Sequence, residues 1–315
     1  MTDIDQAVQI LRRGGLVAFP TETVYGLGAD ATNEQAIKKI FRAKGRPSTN
    51  PLIVHIADIP TAKKFAATWP DSAQLLAEKF WPGPLTLILP KSPAIVDPVT
   101  AGRNTVGLRV PNHPLALALL SKFNGPLAAP SANRSTRVSP TTAQHVRDEL
   151  GEAVDIILDG GPCTVGIEST VLDLTTTPAT ILRPGAVSKQ HIEELIGSVQ
   201  LFTGQIDPSV AGSSPGQHAV HYSPRATTYR FETDDLPRIR KGKDGVILTI
   251  APQHGDLQMP ANPSDYARIL YSTLREMDAR NVKTIFIQMP PDQPQWLAIR
   301  DRLIRATRLL PPDLG

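Results

Sequence analysis

What most limits the architecture open to this chain is its punctuation. Segments with helical spacing of apolar residues alternate with short apolar runs up to about residue 201, and the alternation resumes after a break rich in Gly, Ser and Pro. Ile4, Ala7, Val8 and Leu11 repeat at helical period, with Thr2 as the cap and Gly14-Gly15 as the stop, and a strand follows at 16–19. Asn33 caps a second helix through Arg42, whose stripe is Ala36, Ile37, Ile40 and Phe41 and whose end carries Lys44. Strands are expected at 52–56, 85–89 and 106–110, and shorter ones near Leu127, Ile156, Thr170 and Thr180. One or two helices fall between 61 and 80, others at 113–122 and 141–150, and a last at 189–196. Such alternation specifies an α/β domain, but does not choose between a parallel and a mixed sheet.

The break at 202–224 divides the chain into a domain at 1–201, a linker, and a small domain at 225–315. In the small domain, strands at 227–231, 246–250 and 284–287 with helices at 264–280 and 295–309 describe an open, Rossmann-like α/β unit of doubly wound type. The linker is unusual in holding His218, His221 and Tyr222 between Pro215 and Pro224, since flexible tethers are normally small and polar.

Several function classes are excluded. No apolar run approaches the roughly 18 residues of a membrane span. The lone Cys163 rules out an internal disulfide and a cysteine-built metal site, and fits a reducing, cytoplasmic setting. The net charge of +3 sits in the small domain: residues 1–224 hold 19 Lys/Arg against 19 Asp/Glu, residues 225–315 hold 14 against 11. That mild bias is not the clustered basic stripe of a nucleic-acid binder. Neither Gly-x-x-x-x-Gly-Lys-Ser/Thr nor Gly-x-Gly-x-x-Gly follows a strand, so any nucleotide is held without the usual glycine-rich cradles.

Three polar exits from apolar strands suggest one site. Lys44-Gly45-Arg46 places two cations around a residue that lets backbone approach a ligand, which implies an anion; a solvated helix end is the bland alternative. Ala-Pro-Ser-Ala-Asn-Arg at 129–134 puts Ser131 and Asn133 on one face. Pro-Thr-Glu-Thr-Val-Tyr-Gly-Leu-Gly at 20–28 is a hydroxyl- and glycine-rich turn. Arg109 and Arg183, also near strand ends, add guanidinium groups suited to phosphate or carboxylate. His55, inside an apolar strand, reads from its surroundings alone as a core residue.

With these motifs, and with Thr-Val-Gly-Leu-Arg-Val-Pro at 105–111, Gly-Ile-Glu-Ser-Thr-Val at 166–171, Leu-Arg-Pro-Gly at 182–185 and Ser-Pro-Gly-Gln-His-Ala-Val-His-Tyr-Ser-Pro at 214–224, the chain resembles the threonylcarbamoyl-AMP synthase family. The form resembled is the long one with an appended C-terminal domain, over nearly the whole length. The resemblance implies a twisted mixed sheet around a concave cleft. It also implies a nucleotidyltransferase that makes L-threonylcarbamoyladenylate and pyrophosphate from L-threonine, bicarbonate or CO2, and ATP with Mg²⁺, for modification of the adenosine beside the anticodon of certain tRNAs. Lys44, Arg46, Ser131 and Asn133 are then the catalytic set. ATP contacts fall on Arg46, Asn50, Thr105, Ser131, Ser139, Arg183 and Tyr222. Threonine contacts fall on Thr23, His55, Arg109, the backbone at Ala129, and Ser169. No protein metal ligand and no general base is singled out. The linker is expected to act as an active-site lid, and the downstream tRNA threonylcarbamoyl transferase machinery is the expected partner, with a weak RNA contact besides. A double-stranded RNA-binding module without catalysis is the rival reading, against which the balanced charge of residues 1–224 counts. Gln-His-Ala-Val at 217–220 and the last helix, which lacks a glycine start, depart from the family pattern.

Overall fold

The computed structural model describes residues 2–204, 222–250 and 255–312. The chain forms two compact units, one of residues 1–135 and 139–218, the other of residues 136–138 and 219–315. Residues 205–221, which hold most of the linker motif including His218 and His221, lie outside the described residues.

The first unit is built on a ten-stranded sheet whose strands, in chain order, are β1 (Val17–Phe19), β2 (Gly26–Asp30), β3 (Ile53–His55), β4 (Leu85–Pro90), β5 (Thr105–Arg109), β6 (Leu127–Ala128), β7 (Ile156–Ile157), β8 (Thr170–Asp173), β9 (Thr180–Arg183) and β10 (Gln200–Leu201). Their spatial order is β10-β9-β8-β4-β5-β3-β6-β2-β1-β7. The sheet is mixed: β3 and β5 run parallel, as do β4 and β8, while β1/β2, β2/β6 and β4/β5 are antiparallel. Helix boundaries follow the caps. Thr2 and Asp5 form a reciprocal capping box at the first helix, Asp3–Arg12. Asn33 caps the helix Glu34–Lys44, which buries Ala36, Ile37 and Ile40.

β2 corrects the reading of 20–28 as a turn throughout. Two glycines and an aspartate make Gly26–Asp30 a poor strand former in isolation. Pairing overrides this: β2 lies between β1 and β6, and Gly28 sits where a Cβ would come within 2.7 Å of the Phe19 ring. The glycine leaves room for a neighbour's aromatic side chain, a demand set by packing rather than by local propensity.

The second unit carries an all-parallel five-stranded sheet. Its strands are β11 (Thr227–Phe231), β12 (Gly245–Ile250), β13 (Leu257–Met259), β14 (Thr284–Gln288) and β15 (Arg308–Leu309), in the order β13-β12-β14-β11-β15. The helix Pro263–Ala279 starts at an Asn262 cap and buries Tyr266, Leu270, Leu274 and Met277 at helical spacing. β13 and β15 are too short to stand out by periodicity. Within this unit Ser223 N donates to Thr136 O at 2.8 Å. Tyr222, at φ +64°, stacks on Tyr271 with ring centroids 5.8 Å apart, and the Arg302 guanidinium lies 5.4 Å from its ring centroid.

Candidate active site

Lys44 is the last residue of a helix that Gly45 ends by turning to φ +59°, a conformation natural to glycine. The turn carries the lysine inward, where it is 2% exposed. Its Nζ donates to Ser131 O at 2.5 Å and to Asn133 O, and Ser135 N donates back to Lys44 O at 2.8 Å. Burial first, and the charge of Arg46 second, hold the Lys44 pKa well below the usual lysine range, with Glu149 acting in the opposite direction. Arg46 is also buried; Nε donates to Asn50 O at 3.4 Å and Nη2 to Pro51 O at 3.1 Å. Two cations therefore sit close together on neutral carbonyls, a place that an arriving polyanion would stabilise.

The 129–134 segment is fastened to the 20–28 segment by backbone. Gly26 and Ser131 form an antiparallel bridge, Leu27 N donates to Pro130 O and Ala132 N to Tyr25 O, each at 2.8 Å. The Thr21 hydroxyl donates to Val24 O at 2.6 Å and receives the amides of Thr23 and Val24, which locks the turn. With its own proton committed, Thr21 Oγ1 accepts from Thr23 Oγ1 at 2.8 Å. Thr23 Oγ1 in turn accepts from Arg109 Nη2 at 3.0 Å. Arg109, 4% exposed, also donates from Nε to Gly83 O at 3.2 Å, and its Nη2 lies 2.8 Å from Glu22 Oε1.

Parallel pairing of β3 and β5 sets His55 opposite Arg109. The imidazole packs edge-on against Phe19, 5.9 Å between centroids. Burial, reinforced by the Arg109 charge, pulls its pKa down to about 3 against a weaker opposing bond from the Ile53 backbone, so the ring is neutral across the physiological range. Its Nδ1 is buried and has no hydrogen-bond partner among the described residues. A satisfied core histidine would have one there. Ala129, whose amide donates to Ile53 O at 2.9 Å, lies beside the same strand.

A third cluster joins Ser169 and Arg183. Arg183 Nε donates to Ser169 O and its Nη2 to Ser169 Oγ, both at 3.1 Å, while Ser169 Oγ and Thr86 Oγ1 are 2.8 Å apart. Ser139 Oγ donates to Glu168 Oε1 at 2.6 Å, with both residues buried. Thr105, at the start of β5, lines a cavity of about 10 Å³ with Thr86, Arg103 and Pro51, which connects this cluster to the Arg46–Pro51 loop.

Thirteen of the fourteen site residues read from sequence thus fall in the first unit, on or beside β2, β3, β5, β6, β8 and β9 and the loops that join them to their neighbours. The fourteenth, Tyr222, belongs to the second unit, where its ring partners are Tyr271 and Arg302. Sequence reasoning passed over three members. Glu22 and Glu168 stand inside the motifs quoted above without a role of their own there, and Thr86 stands outside them. Their partners are far away in sequence, so only a buried carboxylate beside a turn of hydroxyls could have drawn attention to Glu22.

The comparisons bear on the family and the fold. A family model described as "Telomere recombination" matches residues 9–185, and one described as "Threonylcarbamoyl-AMP synthase, C-terminal domain" matches residues 187–307. A Bacillus subtilis threonylcarbamoyl-AMP synthase is 43% identical over 96% of this chain and 92% of its own length. The Pyrococcus abyssi threonylcarbamoyl-AMP synthase is 39% identical over 96% and 93%. A crystal structure of P. abyssi Sua5 complexed with L-threonine superposes with a TM-score of 0.88 at 38% identity, covering 98% of this chain and 96% of that one. Matched along almost its whole length in both sequence and fold, the chain belongs to the threonylcarbamoyl-AMP synthase family, in the form that carries the appended C-terminal domain.

Proposed function

We propose that the first unit holds a single site that condenses L-threonine, bicarbonate or CO2, and ATP into threonylcarbamoyladenylate and pyrophosphate. Membership of the family makes the chain an ATP-using synthase of threonylcarbamoyl-AMP for tRNA modification; the residue roles are our reading. Arg109 takes the threonine carboxylate, while neutral His55 and the Thr23 and Ser169 hydroxyls read the side-chain hydroxyl. The amine is carboxylated. A carbamate oxygen then attacks the α-phosphorus in line, the new O–P bond forms, and the bond to the β-phosphate oxygen breaks to release pyrophosphate. Lys44 and Arg46 stabilise charge on the phosphoryl oxygens and the leaving group, since such transfer depends on positioning and electrostatics. Ser131 and Asn133, held by the same turn that binds Lys44 Nζ, orient the phosphates, with Asn50, Thr105, Ser139 and Arg183 around the nucleotide.

Mg²⁺ would enter on the ATP phosphates. Among the described residues no three His, Cys, Asp or Glu groups gather to hold a metal, and the oxygens of Ser131 and Asn133 are hard donors of the kind that supplement phosphate and water around this ion. When bound it would supply charge neutralisation on the phosphates.

The observation that supports the reading is the Gly26–Ser131 bridge, which joins the segment that carries Thr23, the partner of Arg109, to the segment whose carbonyls receive Lys44 Nζ. Incubation with labelled bicarbonate, threonine and ATP tests it. Label should enter an acyl-adenylate, with pyrophosphate released only when all three are present. Pyrophosphate release that ignores threonine or bicarbonate refutes it.

A further inference from the structure

Glu22 is a buried carboxylate that the reaction above leaves without a task. It is 5% exposed and fixed from two sides: Oε2 accepts from Asn112 N at 3.0 Å, and its main-chain oxygen accepts from Val165 N at 2.7 Å. Oε1 lies 2.8 Å from Arg109 Nη2, close enough to be an ion pair, yet it accepts no hydrogen bond among the described residues. The same Nη2, which carries two N–H groups, also donates to Thr23 Oγ1 at 3.0 Å. A carboxylate oxygen that is desolvated and ion-paired, yet accepts no hydrogen bond among the described residues, keeps capacity for a donor that arrives with the ligand. An amino acid anchored on Arg109 by its carboxylate brings one, because its α-nitrogen is only two bonds from the carboxylate carbon. The other buried carboxylate of the site, Glu168, already accepts from Ser139.

We infer that Glu22 is the general base of the carboxylation step, its Oε1 receiving the threonine N–H and taking the proton as nitrogen bonds to CO2; this rests on the reaction proposed above. Threonine first loses its ammonium proton to solvent; the lone pair of the neutral amine then forms the C–N bond, and one C=O pair of CO2 moves onto oxygen. The nitrogen then carries two protons and a positive charge. One N–H bond breaks toward Oε1, leaving N-carboxythreonine and a neutral Glu22, which returns its proton to solvent before the next turnover. A carboxylate is too weak a base for a free ammonium ion, but suits a nitrogen made acidic by the new bond. Proximity to Arg109 places the base at the amine without a further element of structure.

The test uses full-length wild type, Glu22→Gln and Glu22→Asp, following adenylate formation from ATP, threonine and saturating bicarbonate between pH 7 and 9.5, with threonine affinity measured in parallel. Glu22→Gln should lose on the order of 10²- to 10⁴-fold in kcat near neutrality. The deficit should shrink as pH rises, because hydroxide replaces the missing base, while threonine affinity changes by less than about tenfold, far less than the rate. Glu22→Asp keeps a carboxylate and should keep the wild-type profile at a lower rate. A Glu22→Gln to wild-type ratio that is constant with pH, or a loss accounted for by threonine affinity alone, overturns the assignment. Should Glu22→Gln fail to fold, Glu22→Asp decides: a pH profile unlike wild type also overturns it. A wild type that makes no adenylate is a failure of the functional reading itself, distinguishable because the variants are scored against an active enzyme.

Discussion

The two halves of the site treat charge in opposite ways. Around Arg109 the cation is matched within the protein: Glu22 lies 2.8 Å away, Thr23 accepts at 3.0 Å, and His55 is held neutral. Around Lys44 the charge of a second cation, Arg46, outweighs the opposing Glu149, and the contacts of Nζ are carbonyls. The first arrangement suits a zwitterion such as an amino acid, which brings one charge of each sign and needs a local match for both. The second suits a polyphosphate, which brings several negative charges to two cations. Pre-forming both halves alike would either repel the nucleotide or leave the amino-acid pocket with excess positive charge.

The comparison can be broken most severely at Arg109. Arg109→Ala leaves Glu22 as a buried unpaired carboxylate, so it should destabilise by ~3–5 kcal/mol as well as remove threonine binding. Arg109→Ala with Glu22→Gln should recover much of the stability but none of the binding. Thermal melts and threonine titrations of both variants check this; equal stability of the single and double variants would contradict a matched pair. On the other half, Lys44→Ala and Arg46→Ala should lower pyrophosphate release by about 10²- to 10³-fold. Removing one of two like charges relieves repulsion, so melting temperature should fall less than for Arg109→Ala. Full activity in either variant would displace the phosphate site.

The pH dependence of stability sharpens the contrast further. A histidine ordinarily titrates near ~6.5 in the unfolded chain, whereas His55 is held at about 3 when folded. The unfolded state therefore binds the extra proton between these values, and stability is full above pH ~6.5 and declines as pH falls toward 3. His55→Gln should lose less melting temperature than wild type between pH 7 and 5, and its preference for threonine over a hydroxyl-free analogue should weaken. Identical pH profiles would return His55 to an ordinary core residue. The smallest effect belongs to Thr86→Val, which removes one buried hydrogen bond to Ser169 and should cost about 0.5–1.5 kcal/mol, with a few-fold rise in the threonine KM and rescue by Thr86→Ser. No change in either quantity would make the Thr86–Ser169 contact incidental.

Much of this was legible in the chain before it folded. Thr2 and Asn33 start helices as their caps predict, Gly45 stops one, and Lys44, Arg46, Ser131, Asn133 and Arg109 sit at exits from periodic segments, where local rules speak clearly. What stayed hidden was pairwise. Gly26–Asp30 becomes a strand because β1 and β6 flank it and Phe19 fills the space over Gly28, none of which local propensity reports. Glu22 becomes conspicuous only when β5 brings Arg109 against it, and Thr86 only when β4 pairs with β8 and meets Ser169. Local chemistry names the cations and hydroxyls; sheet register decides which of them meet.

The direct test of the two charge regimes is the proton balance of ligand binding. Calorimetric titrations of the full-length wild type at pH 8.5, in buffers of different ionisation enthalpy, report protons taken up or released. Lys44 is depressed by burial and by Arg46, and the phosphates of ATP act against both, so any proton exchange on ATP binding should run toward uptake. Threonine, meeting a cation already matched by Glu22, should produce no uptake. Net proton release on ATP binding, or uptake on binding threonine, would contradict the account.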